Sequence, residues 1–325
     1  MIITVTPNPS IDRTVTLGTS LIRGAVHRVQ SVVIEPGGKG VNVARALTLS
    51  GCNAVAVLPA PPGDPLLVAL QSAGVAFHSV PVTQAVRTNL AITESDGTTT
   101  KINERGAALD RPAVEALTRA VVVRAAHARW VVLSGSLPPG MPDSWYADVV
   151  ALLAPMPCRV AVDTSDGPLR ALAESFSRAA PDLIKPNAEE LATITGTSAA
   201  ALESAVAQGD TEPVLAAARL LVDRGARTVL ATLGAAGAVL VDNAGSWLAT
   251  APPVAARSTV GAGDSALAGY IRANLDGVCP PQRLQTAVAY GSAAAALPGS
   301  ALPSTGQVDI NAVRVSEISH LHTES

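Results

Sequence analysis

The chain has 325 residues, 48% of them hydrophobic, 15% charged and only 2% aromatic, so a large core must be built from Ala, Val, Leu and Ile. A formal charge of −3 and a pI near 6.0 supply no basic face for a nucleic acid or an acidic membrane surface. Cys52, Cys158 and Cys279 stand far apart with no CxxC spacing, which argues against a zinc ribbon or a disulfide framework and leaves them as reduced thiols.

The opening IITVTPNPS lacks the basic stretch and apolar run of a signal peptide, and no run approaches the roughly 18 apolar residues of a membrane span, so a cytoplasmic protein is expected. IITVTP reads as a first core strand. DRTVTLG and HRVQSVVI follow, alternating with period two and polar on one face. Next, EPGGKGVNVARAL (35 to 47) opens a helix expected from about Lys39 to Leu49. Gly37, Gly38 and Gly40 let the backbone approach a ligand, and Lys39 and Asn42 can reach hydroxyls or a phosphate. A plain glycine turn into a helix fits the same string. The Walker A pattern G-x-x-x-x-G-K-[ST] occurs nowhere. NAVAVLP is a second core strand.

Residues 86 to 105, RTNLAITESDGTTTKINERG, read as two strands joined around Asp96-Gly97, a strong hairpin signal. The alternation puts Arg87 and Asn89 on one face, and Lys101, Asn103 and Arg105 together on one face. Segments polar on one face do not suit a sheet buried on both sides. Residues 12 to 34 and 86 to 105 are therefore expected to form a small antiparallel lid on a single domain spanning 1 to 325. Cations on lid strands suit a phosphorylated ligand; keeping a sheet edge soluble is the other reading.

From about residue 110, short β-branched runs alternate with helical patterns, which argues for a parallel sheet with crossover helices. The strands are RWVVLSG (129 to 135), PCRVAVDTS (157 to 165), DLIKPN (182 to 187) and ARTVLATLG (226 to 234); the helices are 111 to 126, 143 to 153, 187 to 195 and 212 to 224. After the first of these strands, SGSLPPG offers Ser134 and Ser136 to a sugar or its phosphate. KPNAEEL (185 to 191) sets Lys185, Asn187 and Glu190 at a strand end, where open α/β sheets bind ligands. Asn187 and Glu190 could hold a hydrated Mg²⁺, or simply form a capping box. TLGAAGAVL places Gly234 and Gly237 in a turn suited to a passing nucleotide or to a hairpin.

The most informative segment is STVGAGDSALAGY, 258 to 270. Gly261 and Gly263 allow a turn whose successive N–H groups converge just before a helix, making an anion hole. Asp264 lies at its mouth, placed to accept the proton of an attacking hydroxyl. A helix N-terminus favours the ionised carboxylate, so a lowered pKa is expected for Asp264. Two other readings of GAGDSA are an N-capping Asp and a G-x-G-x-x-A dinucleotide fingerprint; the second lacks a clear strand immediately before it. No histidines have metal-ligand spacing, and His320 and His322 fall in a tail expected to fray after about 316.

Taken in order, GGKGVNVAR, SGSLPPG, KPNAEE, TLGAAGA and STVGAGDS resemble the ribokinase-like carbohydrate kinases, the phosphofructokinase B family, over about residues 2 to 300. TPNPSID, RTN (87 to 89) and KINERG (101 to 106) resemble its bacterial 1-phosphofructokinase branch, with tagatose-6-phosphate kinases close behind. The resemblance implies a three-layer α/β/α sandwich with a β-sheet lid that mediates a homodimer. It also implies an ATP- and Mg²⁺-dependent sugar-phosphate kinase making fructose 1,6-bisphosphate from fructose 1-phosphate. A 6-phosphofructokinase, a tagatose-6-phosphate kinase or a sugar- or nucleotide-binding regulator are the alternatives. By the same resemblance Asp264 is the base and Gly261, Ala262 and Gly263 form the anion hole. Asp12, Gly38, Lys39, Asn42, Arg87, Asn103 and Ser136 face the sugar phosphate. Lys185, Asn187, Thr232, Gly234, Gly237 and Ser258 face ATP, and Glu190 acts through Mg²⁺. Two departures stand out: PAPPGD (59 to 64) replaces a glycine-rich loop, and NERG replaces NEPG, adding Arg105.

Overall fold

The computed structural model describes residues 1 to 318. In chain order its strands are β1 (Ile2–Val5), β2 (Ser10–Leu17), β3 (Val29–Gly37), β4 (Ala54–Pro59), β5 (Ala76–Val80), β6 (Arg87–Thr93), β7 (Thr99–Asn103), β8 (Trp130–Ser134), β9 (Arg159–Asp163), β10 (Leu183–Ile184), β11 (Thr228–Thr232), β12 (Ala238–Asp242), β13 (Gly245–Thr250) and β14 (Arg314–Glu317). The helices are α1 (Lys39–Leu49), α2 (Pro65–Ser72), α3 (Arg111–Ala125), α4 (Trp145–Leu153), α5 (Asp166–Glu174), α6 (Phe176–Ala179), α7 (Ala188–Thr195), α8 (Ala199–Ala207), α9 (Glu212–Asp223), α10 (Ala262–Leu275) and α11 (Pro280–Ala295). None of these helices is long and apolar enough to cross a membrane.

Ten strands make the main sheet in the order β14-β13-β12-β11-β10-β9-β8-β1-β4-β5. From β11 to β5 all neighbours are parallel, as the strand-helix alternation predicts. Alternate residues feed opposite faces: Val131 and Leu133 join the core under α3, α4, α5, α7 and α9, whereas Trp130 and Val132 join the one under α1, α10 and α11. These are the three expected layers. Each fully buried Val or Leu contributes about 1.5–3 kcal/mol, so a core almost without aromatics reaches stability through number.

Beyond the strands read from the sequence, β12, β13 and β14 extend one edge of the sheet antiparallel. Only the short Gly234–Ala236 turn links β11 to β12, and a turn that short can make a hairpin but never a crossover. β14 runs through Glu317; the tail expected to fray after about 316, with His320 and His322, lies almost wholly outside the described residues.

The lid is a separate sheet in the order β3-β2-β6-β7. Its hairpins β2-β3 and β6-β7 are antiparallel, but β2 and β6 pair in parallel, correcting the expected all-antiparallel flap. The reason is topological, because β2 follows β1 and β6 follows β5, two parallel strands of the main sheet, and both set off in the same direction. Register puts Ser10, Asp12, Arg87, Asn89 and Asn103 on one face, and Ile11, Ile34, Leu90 and Ile102 on the other.

Candidate active site

The parallel strands deliver their carboxyl ends to one edge, where an open α/β sheet leaves a crevice for ligands. Asp163 ends β9, Lys185 follows β10, and Thr232 ends β11; α1, α7 and α10 all begin nearby. Asp264 is the third residue of α10, whose N-cap is Gly261 at φ 75°. No side chain caps this helix, so the N-capping reading of Asp264 does not hold. Its carboxylate accepts a hydrogen bond from Asn42 Nδ2 at 2.9 Å, 222 residues away in the chain. The first-turn amides of α10 have no intrahelical acceptors. A Cβ on Gly263 would lie 3.2 Å from Lys185 Nζ, so the ammonium rests against that turn.

Burial and the neighbouring Asp163 carboxylate push the Asp264 carboxyl up to about 6, against the pull of Lys39, Asn42 and Lys185. This reverses the expected lowering. A helix terminus is worth about 0.3–1 kcal/mol to a charge, and removing a carboxylate from water costs more than that.

Asp163 sits at the centre of the cluster, fully buried, with Lys39 Nζ at 2.9 Å and Lys185 Nζ at 3.2 Å. Burial alone would raise its pKa, yet the two ammoniums hold it below the usual carboxylate range. Lys39 responds in kind: burial opposes its charge, but Asp163, Glu190 and Asp264 together hold it protonated above its ordinary range. Lys39, expected beside the sugar phosphate, shares the Asp163 carboxylate with Lys185 at the strand ends. Sequence reasoning missed Asp163. Its signal was the charge closing the buried run RVAVD, a residue too costly to bury unpaired.

Asn187 and Glu190 form a true capping box, with Asn187 Oδ1 accepting from Glu190 N at 2.8 Å and Glu190 Oε2 accepting from Asn187 N at 2.9 Å. The other oxygen of Glu190 stays 4.0 Å from Lys39 Nζ, and burial raises the pKa of the group. No cluster of three or more His, Cys, Asp or Glu suited to a metal assembles among the described residues. One spare carboxylate oxygen fits a Mg²⁺ that arrives on nucleotide phosphates and keeps its waters; it would not fit a dedicated metal cage.

Thr232 bridges Asn187 at the same edge. Gly234 is exposed on the turn beyond it. Ser258 lies on the loop into α10, its backbone N–H 3.3 Å from the Ala295 carbonyl and its Oγ accepting from Val260 N at 3.2 Å. Gly237 closes the same turn. A Cβ there would fall 1.9 Å from the Ala249 carbonyl oxygen, so this glycine exists to let β13 pass.

The lid brings a second group together. Asp12 Oδ1 accepts from Ser10 Oγ at 2.8 Å and from Asn89 Nδ2 at 3.0 Å, and Asn103 stands opposite Asn89. Gly37 makes room for this carboxylate, since a Cβ there would meet Asp12 Cγ at 2.3 Å. Gly38, at φ 104°, passes close to Thr6 as it caps α1. Asn8, also missed, donates to the Arg105 carbonyl at 3.0 Å and to Ser136 Oγ at 3.3 Å. Ser136 and Arg87 line a cavity of about 580 Å³, a size typical of small-molecule sites. Buried Asn42 Oδ1, Asn89 Oδ1 and Arg87 Nε have no hydrogen-bond partner, as groups awaiting a polar ligand would be.

The family model of the pfkB family carbohydrate kinases matches residues 7 to 302. A 1-phosphofructokinase of Xanthomonas campestris pv. campestris is 36% identical over 277 residues, covering 84% of each chain. The ATP-dependent 6-phosphofructokinase isozyme 2 of Escherichia coli is 32% identical over 307 residues, covering 93% of this chain and 95% of its own. The crystal structure of phosphofructokinase-2 from Escherichia coli in complex with substrates and products superposes with a TM-score of 0.85 at 30% identity, over 94% of this chain and 96% of that one.

Proposed function

Because this chain belongs to the pfkB family of carbohydrate kinases, we propose that it is an ATP-dependent sugar-phosphate kinase that phosphorylates the free primary hydroxyl of fructose 1-phosphate. The observation that carries the reading is the Asp264 carboxylate, buried beside two lysines and held by Asn42 at the first turn of α10. In this reading the hydroxyl proton passes to Asp264 as the hydroxyl oxygen attacks the γ-phosphorus of ATP. The bond to the bridging oxygen breaks, and ADP leaves with that electron pair. First-turn amides of Gly261, Ala262 and Gly263 receive the charge on the phosphoryl oxygens, and Lys39 and Lys185 add two fixed cations. Asp163 holds both ammoniums in position. Mg²⁺ bound with ATP supplies charge neutralisation on the phosphates, and Glu190 is the carboxylate that reaches its waters. Lys185, Asn187, Thr232, Gly234 and Ser258 border the nucleotide. Asp12, Gly38, Asn42, Asn103, Arg87 and Ser136 hold the sugar phosphate under the lid.

A second substrate, fructose 6-phosphate, is favoured by the likeness to the Escherichia coli 6-phosphofructokinase isozyme. The same machinery serves both, because the two sugar phosphates differ in which end already carries the phosphate. ADP release measured with fructose 1-phosphate, fructose 6-phosphate, tagatose 6-phosphate and ribose ranks them by kcat/KM. Fructose 1-phosphate is expected first. Turnover of ribose alone would overturn the sugar-phosphate reading, and no turnover of any would favour a binding regulator. The same reading makes the protein a homodimer through the exposed apolar face of the lid.

A further inference from the structure

The cavity beside Ser136 holds more positive charge than the motif residues account for. Arg87 reaches it from β6, Arg105 from the turn after β7, and Arg170 from α5. Among the described residues none of the three makes an ion pair. Arg87 Nη1 donates to the Glu104 carbonyl at 3.1 Å, but its Nε is buried with no acceptor. A buried guanidinium nitrogen without an acceptor is costly unless a ligand supplies one.

Arg170 is unpaired for a local reason. It follows Asp166 by four residues on α5, the spacing at which opposite charges on a helix meet. Asp166 is the one non-glycine residue at positive φ among the described residues, at 56°, and its Oδ2 accepts from Ser165 Oγ at 2.8 Å. The ion pair with Arg170 does not form, and Arg170 borders the cavity alone. A left-handed non-glycine residue is costly, and such residues persist chiefly where a site uses them.

Asp143 and Asp166 line the same cavity, and neither makes an ion pair with an arginine. Three guanidiniums and two carboxylates around one space suit a ligand with one anionic group and several hydroxyls. The carboxylates accept from hydroxyls and repel a second anion. Arg105 stands where the family pattern has proline, so five N–H donors replace a residue with none. We propose that Arg105 and Arg170 join Arg87 in binding the phosphate that the sugar substrate already carries, and so set the preference for a phosphorylated over a neutral sugar. The proposal rests on the sugar-phosphate kinase reading above.

The test compares the full-length wild type with Arg105→Ala, Arg170→Ala, the double variant and Arg105→Lys, using fructose 1-phosphate, fructose 6-phosphate and neutral fructose. Each alanine is expected to raise KM for the preferred sugar phosphate about tenfold, the usual worth of a charge-assisted hydrogen bond. The double variant should lose about a hundredfold if the two act independently. Throughout, kcat should stay within about threefold and KM for ATP should not move, as expected when ground-state and transition-state binding are lost together. Neutral fructose should be unaffected, and lysine should recover part of the loss. A double variant with KM for the sugar phosphate within about twofold of wild type, or an equal loss for neutral fructose, would overturn the proposal. A wild type that turns over no sugar phosphate would sink the kinase reading instead. Calorimetric titration of fructose 1-phosphate without ATP reads the arginines independently of turnover: binding weakened in the alanine variants supports their role, and unchanged binding removes it.

Discussion

Asp264 holds a raised pKa because it is buried next to another carboxylate, and both activity and stability should report it. As the proposed base, Asp264 must be ionised to work, so kcat/KM should fall as pH drops through an apparent pKa near 6. A flat profile from pH 5 to 8 would remove the base. The sign for stability is opposite to that of an ordinary ion pair. With the folded value about 6 against an ordinary 3.8, the native protein binds more protons across that window, and stability falls as pH rises through it. Asp264→Asn should therefore lower kcat by about a hundredfold or more while raising stability near pH 7 by about 1–3 kcal/mol, read by denaturant titration. Asp163→Ala should lower stability instead, by about 3–5 kcal/mol, by leaving two lysines around an empty, buried position. Asp264 could be recognised in the sequence because a carboxylate after a glycine turn at a helix start is a local pattern. Asp163 carried only the weaker signal of a charge closing a buried run, because the two lysines that give it meaning are 124 and 22 residues away.

At the scale of elements, the helix starts and strand ends were readable wherever the cue was local. The helix expected from about Lys39 to Leu49 is α1, and Asp96-Gly97 lies in the turn between β6 and β7. The capping box of α7 was also present in the string NAEE. Pairing between elements was not readable, as the parallel β2-β6 ladder and the antiparallel β13-β14 edge illustrate. Gly37 is a useful probe of that pairing, since its hydrogen makes way for the Asp12 carboxylate on the neighbouring strand. Gly37→Ala should displace Asp12 and raise KM for the sugar about tenfold, leaving KM for ATP within about twofold, because only one substrate lies under the lid. Equal changes in both constants, measured by steady-state kinetics, would show a general loss of fold instead.

For the whole molecule, the lid presents one polar and one apolar face, and the apolar one is not covered within the chain. Ile34 is 57% and Ile102 55% exposed, and both lie on the lid's apolar side. An exposed apolar sheet face of this kind is what the proposed dimer would bury. Ile34→Lys is expected to shift a dimer to monomer in sedimentation equilibrium with the main core intact; a wild type that sediments as a monomer would end the dimer reading. By itself the sequence determined the elements, the layered α/β class and the motifs at strand ends, because helix and strand periods, glycine turns and caps act over a few residues. The tertiary structure alone decided that Lys39 and Lys185 share Asp163, that Asp264 is a weaker acid than its helix terminus suggests, and that Gly237 leaves room for the Ala249 carbonyl. Those outcomes depend on burial and on charges brought within about 4 Å from distant parts of the chain, where desolvation outweighs local dipoles.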